Sequence, residues 1–468
     1  MNYEFIIEII SSISDFLWTY VVITMLVGCA LYFTWNLRAV QFTHIGEMFR
    51  SLITPSTPSE QNDEKKQKKI SSFQAFAVSL SSRVGTGNLA GVASAIFVGG
   101  PGAVFWMWIM ALLGASTAFM EATLAQLFKR KGEDSFYGGP AYYMQHGLGK
   151  RWMGIIFACF IIYGFGLANQ IVQSNTLCDA MNEAFGIGTD TAAWALTLLT
   201  LVIIFGGIQR IAHFSAMVVP FMAVGYLILA IVILVMNIQQ VPAMLALIVK
   251  SAFGWHQVAG GTLGMAVMQG VKRGLFSNEA GEGSAPNAAA TATISHPVKQ
   301  GLLQSLGVFT DTLVICTCTA FIIILSGIYT QADGIILTSR AMEHHLGSMG
   351  AWYLTAAIFL FAYSTIIANY FYGETNIRFI CDKPWTILVF RLFSGVVVLL
   401  GGYMTLQQAW CFVDIAMALM TILNLIAVVW LSKYAFRLLR DYLQQRKEGK
   451  DPVFHKDMFP DADIEAWE

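Results

Sequence analysis

SLSSRVGTGNLAG, residues 79–91, interrupts a long apolar segment with four hydroxyl side chains, one amide and the closely spaced Gly85 and Gly87. Glycine costs about 1 kcal/mol per residue inside a helix, so this pair predicts a break in the helix. Backbone groups freed inside a membrane need a ligand, an ion, water or other protein groups as partners. The stretch is therefore a candidate binding site.

The composition indicates a polytopic membrane protein. Of the 468 residues, 56% are hydrophobic and 12% are charged, whereas soluble domains carry about a quarter charged residues. The net charge of −1 offers no basis for a nucleic-acid surface. The seven cysteines show no CxxC spacing, so neither a disulfide framework nor a zinc site is supported.

Eleven segments are apolar and close to the length of about 20 residues that a membrane-spanning helix needs. They are predicted at 15–37, 72–98, 102–128, 152–180, 191–208, 212–236, 258–284, 301–328, 350–373, 385–402 and 408–432.

Lysine and arginine fix the predicted orientation, because they concentrate in cytoplasmic loops. With the N-terminus outside and the C-terminus inside, only Lys250 and Arg340 fall on the outer side. The polar stretch 53–69 (ITPSTPSEQNDEKKQKK) is then a cytoplasmic linker. We expect a multi-pass protein in contact with membrane lipid.

Two interrupted segments indicate an internal repeat. The first span of each group of five, 72–98 and 258–284, is broken, and the two run in opposite directions through the membrane. Broken helices in corresponding positions of two halves are typical of transporters built from inverted repeats. The sequence thus predicts an all-α fold of eleven transmembrane helices, in which one N-terminal helix precedes a five-plus-five inverted repeat. The predicted divisions are 1–71, 72–236, 237–432 and 433–468.

Two charged residues are predicted at membrane depth. Arg83 lies beside the first break, where it contacts a substrate or forms a salt bridge with an acidic residue. The candidate partners are Glu279, Glu282 and Glu374. Asp311, well inside its span, is an ion ligand, a proton carrier or a structural hydrogen-bond acceptor.

Polar side chains within other spans are candidate cavity residues. Asn169 and Gln173 are four residues apart and share one helix face. The adjacent hydroxyls of Ser364 and Thr365 either bond to their own helix or, with freed carbonyls, supply the hard oxygen ligands of a sodium ion. Asn369 lies about one turn further on. No hydrolase motif is present, so an enzyme is not expected.

Several long motifs resemble the alanine or glycine:cation symporter family. These are GTGNLAGVASAI (85–96), GGPGAVFWMWIMALLGASTAFMEATLAQ (99–126), GGPAYYM (138–144), RGLFSNEAGEGSAPNAAATA (273–292), HPVKQG (296–301) and FAYSTIIANYFYGE (361–374). The resemblance implies a LeuT-type fold with one extra N-terminal helix, and sodium-driven import of alanine and glycine across a bacterial inner membrane.

The resemblance also implies site residues. Thr86, Gly87 and Asn88 would bind the amino-acid backbone, with Gln173 on the substrate side. Candidates from the second broken helix are Gln269, Phe276 and Asn278. A sodium ion (Na+) would be bound by Ser364 and Thr365 together with the carbonyls of Ser81, Val84 and Phe361.

Asn369 departs from the family pattern, in which many members have tryptophan. A smaller polar residue there enlarges or rehydrates the pocket and puts a strict size limit on the substrate in doubt. Two alternatives to sodium symport remain open. One is coupling to protons through Asp311, and the other is a sensor or channel that binds the same ligand without coupled transport.

Overall fold

The computed structural model describes residues 3–53, 70–132, 135–254 and 263–467, which are almost entirely helical. Residues 54–69 of the predicted linker and residues 258–262 of the predicted span at 258–284 lie outside the described residues. The strands Arg130–Lys131 (β1) and Phe136–Tyr137 (β2) pair antiparallel, with Arg130 opposite Tyr137.

The first half of the chain is a succession of helices, numbered in chain order. They are α1 (Tyr3–Phe16), α2 (Ile23–Asn36), α3 (Val40–Thr43), α4 (Ile45–Ile53), α5 (Ser72–Arg83), α6 (Val92–Gly99), α7 (Gly102–Leu127), α8 (Pro140–His146), α9 (Arg151–Tyr163), α10 (Gln170–Phe185), α11 (Thr189–Ile204), α12 (Gly207–Met236) and α13 (Val241–Ala252).

The second half continues the numbering. Its helices are α14 (Leu263–Asn278), α15 (Pro286–Ala289), α16 (Val298–Val308), α17 (Thr317–Ser326), α18 (Gly334–Leu346), α19 (Ser348–Ile380), α20 (Pro384–Gly401) and α21 (Leu406–Lys447). Wider π-helical turns connect or begin several of them, at Leu17–Val22, Gly87–Gly91, Gly164–Asn169 and Phe309–Cys316.

Among the described residues, eight helices are long and apolar enough to cross a membrane. They are Ile9–Asn36, Gly102–Leu127, Arg151–Phe185, Gly207–Met236, Val298–Ser326, Ser348–Ile380, Pro384–Gly401 and Trp410–Lys447. Two of the other three predicted spans correspond to the broken pair α5 and α6 and to the short α11. In the third, α14 covers residues 263–278 of the described part, 263–284. The count of eleven spans and the inverted repeat therefore stay predictions.

Large apolar side chains cover the outer surface of these helices. Trp35 is 85% exposed, Phe221 on α12 is 74% exposed and Val235 is 64% exposed. A soluble monomer rarely exposes contiguous apolar surface on this scale, whereas a lipid-facing surface requires it. The exposed aromatic and aliphatic residues agree with a membrane protein.

Three features differ from the sequence expectations. The helix α21 runs without a break across the predicted boundary at 432/433, because its polar end packs against the rest of the protein through Leu438 and Tyr442. The helix α18 was not predicted. For the segment of α8, the sequence left open a helix lying on the inner leaflet or an ordinary packed loop. Tyr142 and Tyr143 are buried by protein, so this segment does not present them to a lipid surface.

The C-terminal tail packs across one end of the helices. Trp467 Nε1 donates to the carbonyl of Gln126 over 2.9 Å, and the Lys129 ammonium lies 4.6 Å from the Trp467 ring centroid. Arg130 forms an ion pair of 2.7 Å with Asp463. The tail is therefore part of the folded protein, and its position identifies the tail side of the molecule.

The first predicted break is present between α5 and α6. A capping box begins α5, since Ser71 Oγ accepts from the Gln74 amide over 3.1 Å and Gln74 Oε1 accepts from the Ser71 amide over 3.0 Å. The helix ends at Arg83, and Asn88 Oδ1 accepts from the freed amide of Gly85 over 2.9 Å. The side chain of Asn88 thus satisfies part of the broken backbone.

The second break follows α14, which ends at Asn278. Glu279, Gly281 and Gly283 have positive φ angles of 55°, 102° and 81°, so the chain cannot continue as a helix. The Gly281 amide donates to the carboxylate of Glu121 on α7 over 3.2 Å. A buried side chain from a neighbouring helix therefore satisfies the unwound segment.

Candidate functional site

The two broken helices meet at the carboxylate of Asp311. Asn88 Nδ2 donates to Asp311 Oδ1 over 2.6 Å, and Ser277 Oγ donates to Asp311 Oδ2 over 2.6 Å. Asn88 follows the first break, and Ser277 is at the end of α14. Since all three residues are buried, this carboxylate joins the two breaks inside the protein.

Thr312 extends the same network to Asn278. Thr312 Oγ1 donates to Asp311 Oδ2 over 2.9 Å and accepts from Asn278 Nδ2 over 3.2 Å. The π-helical turn Phe309–Cys316 carries both Asp311 and Thr312. Three donors therefore converge on one buried carboxylate and fix its position.

Gln173 on α10 is hydrogen-bonded to the backbone of the first break. Its Oε1 accepts from the Thr86 amide over 3.0 Å, and its Nε2 donates to Asn169 Oδ1 over 2.7 Å. The prediction that Asn169 and Gln173 share one face is confirmed. The Thr86 hydroxyl is buried and has no hydrogen-bond partner within the described chain, so it is a free polar group at the break.

Gly87 and Phe276 are in direct contact. A Cβ atom on Gly87 would lie 2.7 Å from Phe276 Cδ1, which explains why the packing of α14 against the first break requires glycine at this position. The Phe276 ring packs against Trp410 with centroids 4.7 Å apart. These aromatic rings cover one side of the break.

Gln269, by contrast, lies away from the break. Its Cβ packs against Gly99 at the far end of α6, which is roughly 18 Å along the helix from Gly87 at 1.5 Å per residue. The structure therefore brings Phe276 and Asn278 to the site but not Gln269.

The candidate sodium ligands come together between α5 and α19. Thr365 Oγ1 lies 2.7 Å from the carbonyl of Ser81 and 3.5 Å from that of Val84. Ser364 Oγ lies 3.0 Å from the carbonyl of Phe361 in its own helix. All five residues are buried. Uncharged oxygens at this spacing suit a hard monovalent cation.

Asn369 lies next to this oxygen cluster. Its Oδ1 lies 2.9 Å from Ser82 Oγ, whose single hydroxyl hydrogen is donated to Glu279. Its Nδ2 is buried and has no hydrogen-bond partner in the described part of the chain. An amide donor without a partner inside the protein is costly, so it is a candidate contact for a ligand.

None of the predicted ion pairs of Arg83 is present. Arg83 Nη1 donates to the carbonyl of Gln304 over 3.3 Å, and no carboxylate of the described ranges lies within 4.0 Å of its guanidinium. Glu374 instead pairs with Arg378 over 2.7 Å. The lack of a side chain at Gly307 leaves the space that Arg83 Nη1 occupies.

Sequence reasoning missed Ser82 and Ser277, two hydroxyls that reach the site. Ser277 was visible beside Asn278 in the interrupted segment, but only the fold shows that it faces Asp311. Sequence reasoning also missed the partners of Asp414, which pairs with Lys272 over 2.7 Å and with Arg273 over 3.1 Å.

Buried broken helices, a carboxylate between them and a lipid-facing exterior define a multi-pass membrane transporter. The chain belongs to the sodium:alanine symporter family, whose sequence model matches residues 3–456. The prediction of the family is confirmed, and the family is one of transporters rather than enzymes.

Several curated proteins are similar over nearly their whole length. The chain is 48% identical over 463 residues to the probable sodium/glutamine symporter GlnT of Bacillus subtilis (strain 168), covering 98% of this chain and 96% of that protein. It is 46% identical to the amino-acid carrier protein AlsT of the same organism, covering 99% and 98%. The sodium/proton-dependent alanine carrier protein of Bacillus sp. (strain PS3) is 38% identical, covering 85% and 94%.

Among solved structures, the chain is similar to a mutant of the Eremococcus coleocola manganese transporter. The sequence identity is 14%, the TM-score is 0.49, and 85% of each chain is covered.

Proposed function

We propose that this protein is a secondary active symporter that couples the sodium gradient to the import of alanine and glycine. It would act by alternating access in a bacterial inner membrane, with the N-terminus outside and the C-terminus in the cytoplasm. The observation that carries the proposal is the oxygen cluster at Thr365. This cluster lies beside the first break, where Asn88 and Gln173 accept hydrogen bonds from backbone amides.

The sodium ion would bind where α19 faces the end of α5. The hydroxyls of Ser364 and Thr365 and the carbonyls of Ser81, Val84 and Phe361 supply neutral oxygens. Because Ser81 and Val84 belong to the last turn before the break, a cation there would fix the end of α5. It would thereby set the position of Thr86, two residues further on.

The amino acid would bind at the break itself. Gly87 begins a helical stretch that continues to Gly99, and the N-terminal end of a helix favours a negative group. The substrate carboxylate would lie at the amides of Gly87 and Asn88. The free hydroxyl of Thr86 and the ring of Phe276 would line the remaining space, together with Gln173 and Asn278.

Uptake of labelled alanine into proteoliposomes tests the proposal. An inward sodium gradient is expected to drive accumulation, and a potassium gradient of the same size is the control. Accumulation that is indifferent to the sodium gradient would overturn sodium coupling.

Glutamine is a second candidate substrate, favoured by the free groups beside the break. The buried Nδ2 of Asn369 and Oγ1 of Thr86 have no partner among the described residues, and a side-chain amide of the substrate offers both an acceptor and a donor. The relative named as a probable sodium/glutamine symporter supports this candidate.

Competition for alanine uptake measures the substrate range. If Asn369 contacts the substrate amide, Asn369→Ala is expected to weaken glutamine competition more than glycine competition. Equal effects on both would exclude that contact.

Proton coupling through Asp311 and uncoupled binding remain the alternatives. Uptake driven by a pH gradient in sodium-free buffer, and lost in Asp311→Asn, would favour the proton carrier. Exchange of internal for external alanine without a gradient distinguishes a carrier from a channel or a sensor, since only a carrier performs such counterflow.

A further inference from the structure

A second group of buried carboxylates surrounds the unwound segment after α14. Glu121, Glu279 and Glu282 are at most 1% exposed. They lie toward the tail side, because Gln126, five residues after Glu121 on α7, accepts the hydrogen bond of Trp467. Through Glu279 the group adjoins the Asp311 network, since Glu279 follows Asn278, and the oxygen cluster at Thr365, since Glu279 accepts from Ser82.

Two of the three carboxylates have hydrogen-bond donors. Glu121 accepts from the Gly281 amide over 3.2 Å and from Asn424 Nδ2. Glu279 accepts from Ser82 Oγ over 2.5 Å and from Ser284 Oγ over 2.6 Å. Donors of this kind replace the water that an ionised carboxylate loses on burial.

Glu282 differs from both. Its exposed fraction is 0%, and neither carboxylate oxygen has a hydrogen-bond partner in the described ranges. The guanidinium of Arg83 is not within 4.0 Å of it. An ionised carboxylate in this environment costs far more than a neutral one, so the group binds a proton instead.

Tyr372 on α19 provides a second, independent indication of a ligand. Its hydroxyl is buried and, among the described residues, has no hydrogen bond of normal geometry. It lies near Ser82 and interacts electrostatically with Glu279, Glu282 and Arg83. No group of acidic, histidine or cysteine residues suited to a metal ion occurs in the part of the chain that the structure describes. The single carboxylate of Glu282, with the phenol of Tyr372 nearby, is therefore suited to a proton rather than to a metal ion.

We propose that Glu282 is a proton-binding site, protonated in this conformation, that exchanges its proton with water on the tail side. A proton from water forms the O–H bond at a Glu282 oxygen, and the same bond breaks when the proton returns to water. Protonation follows from burial without hydrogen-bond donors in the described ranges, whereas its exchange during transport rests on the proposed symport.

Several titratable or charged groups from neighbouring elements influence this site. Those that act on Glu282 directly are Arg83 on α5, Glu121 on α7, Glu279 in the same segment and Tyr372 on α19. Two more act through these carboxylates, namely Asp311, which influences Glu279, and Tyr143 on α8, which interacts with Glu121.

Infrared spectra of the full-length protein in lipid nanodiscs test protonation directly. The wild type at neutral pH is expected to show the C=O band of a buried carboxylic acid, and Glu282→Gln is expected to lose it. Glu279→Gln is the matched control, because that carboxylate has donors, and it should keep the band. A wild type without the band, or Glu282→Gln with the band intact, would overturn the proposal.

Glu282→Asp keeps the assignment testable if the glutamine variant does not fold. It retains a carboxyl group, so the band should persist at a shifted frequency, and an unshifted band would assign the proton to another residue. These spectra need no transport, so they stay interpretable even if uptake proves independent of sodium.

Alanine counterflow at different interior pH values tests exchange of the proton. The wild-type rate is expected to change several-fold with interior pH, whereas Glu282→Gln should show no such dependence. An equal dependence in both proteins would overturn the role of this proton in transport.

Discussion

Asn88 Nδ2 lies 2.6 Å from Asp311 Oδ1, and this hydrogen bond joins the first broken helix to the π-helical turn on the opposite side of the site. The same asparagine accepts from the Gly85 amide through its Oδ1. One side chain therefore satisfies the broken backbone and also fixes the break relative to a buried carboxylate.

Asn88→Ala is expected to destabilise the protein by about 1–3 kcal/mol, because it leaves Asp311 with one donor fewer and removes the side-chain acceptor of the Gly85 amide. Thermal unfolding in detergent measures the effect. The double-mutant cycle with Asp311→Asn is expected to be strongly non-additive. Additive losses would indicate that the two residues act independently.

Thr365→Ala removes the hydroxyl that faces the carbonyls of Ser81 and Val84. We expect the sodium concentration needed for half-maximal uptake to rise about tenfold, equivalent to about 1.4 kcal/mol, while alanine affinity at saturating sodium changes little. Thr355→Ala is the matched control, since Thr355 on the same helix bonds, among the described residues, only to the carbonyl of Ala351. Equal effects in both variants would remove Thr365 from the cation site.

Gly87→Ala is expected to abolish alanine binding, because its methyl group would lie 2.7 Å from Phe276 Cδ1 and force the two broken helices apart. Gly91→Ala is the control in the same stretch, where the nearest atom of Trp410 is 3.8 Å away. Thermal-shift measurements of alanine binding in the presence of sodium distinguish the Gly87→Ala variant from the Gly91→Ala variant. Similar binding in both variants would show that this close approach is not needed.

Docking of the C-terminal tail is expected to weaken as the pH falls. Burial lowers the pKa of His146 below its ordinary 6.5 despite the opposing hydrogen bond to Asp463. The His146 ring therefore takes up a proton more readily when the tail is undocked than when it is docked. Docking accordingly weakens as the pH falls below 6.5. For Asp463, burial raises the pKa but the bonds from Arg130 and His146 outweigh it, so its pKa is lowered. The contribution of the Asp463 carboxylate to docking is therefore present above its ordinary pKa of 3.8 and is lost as the pH falls through its lowered pKa.

Hydrogen exchange of the amides near Trp467, measured between neutral and acidic pH, follows this undocking. Asp463→Asn should expose those amides at neutral pH. Protection that is independent of pH in the wild type would show that the aromatic contacts of Trp467 alone hold the tail.

Much of the site was predictable from local sequence. The apparent break at Gly85 and Gly87 is present, as is the pairing of Asn169 with Gln173, because both follow from spacing within one helix. The roles assigned to the site residues stay predictions. The contact of Arg83 with Gln304 and that of Asp311 with Asn88 could not be predicted, since each joins residues more than two hundred positions apart.

The sequence alone determined that this chain crosses a membrane, that two of its helices are broken and that it belongs to a transporter family, because length, apolarity, glycine spacing and motifs are properties of contiguous residues. Only the tertiary structure decided which polar groups meet at the breaks. It gave donors to Asp311, Glu121 and Glu279 and, among the described residues, none to Glu282. The physical reason is that a buried polar group is stabilised by whichever partners packing brings to it, and those partners are distant in the chain.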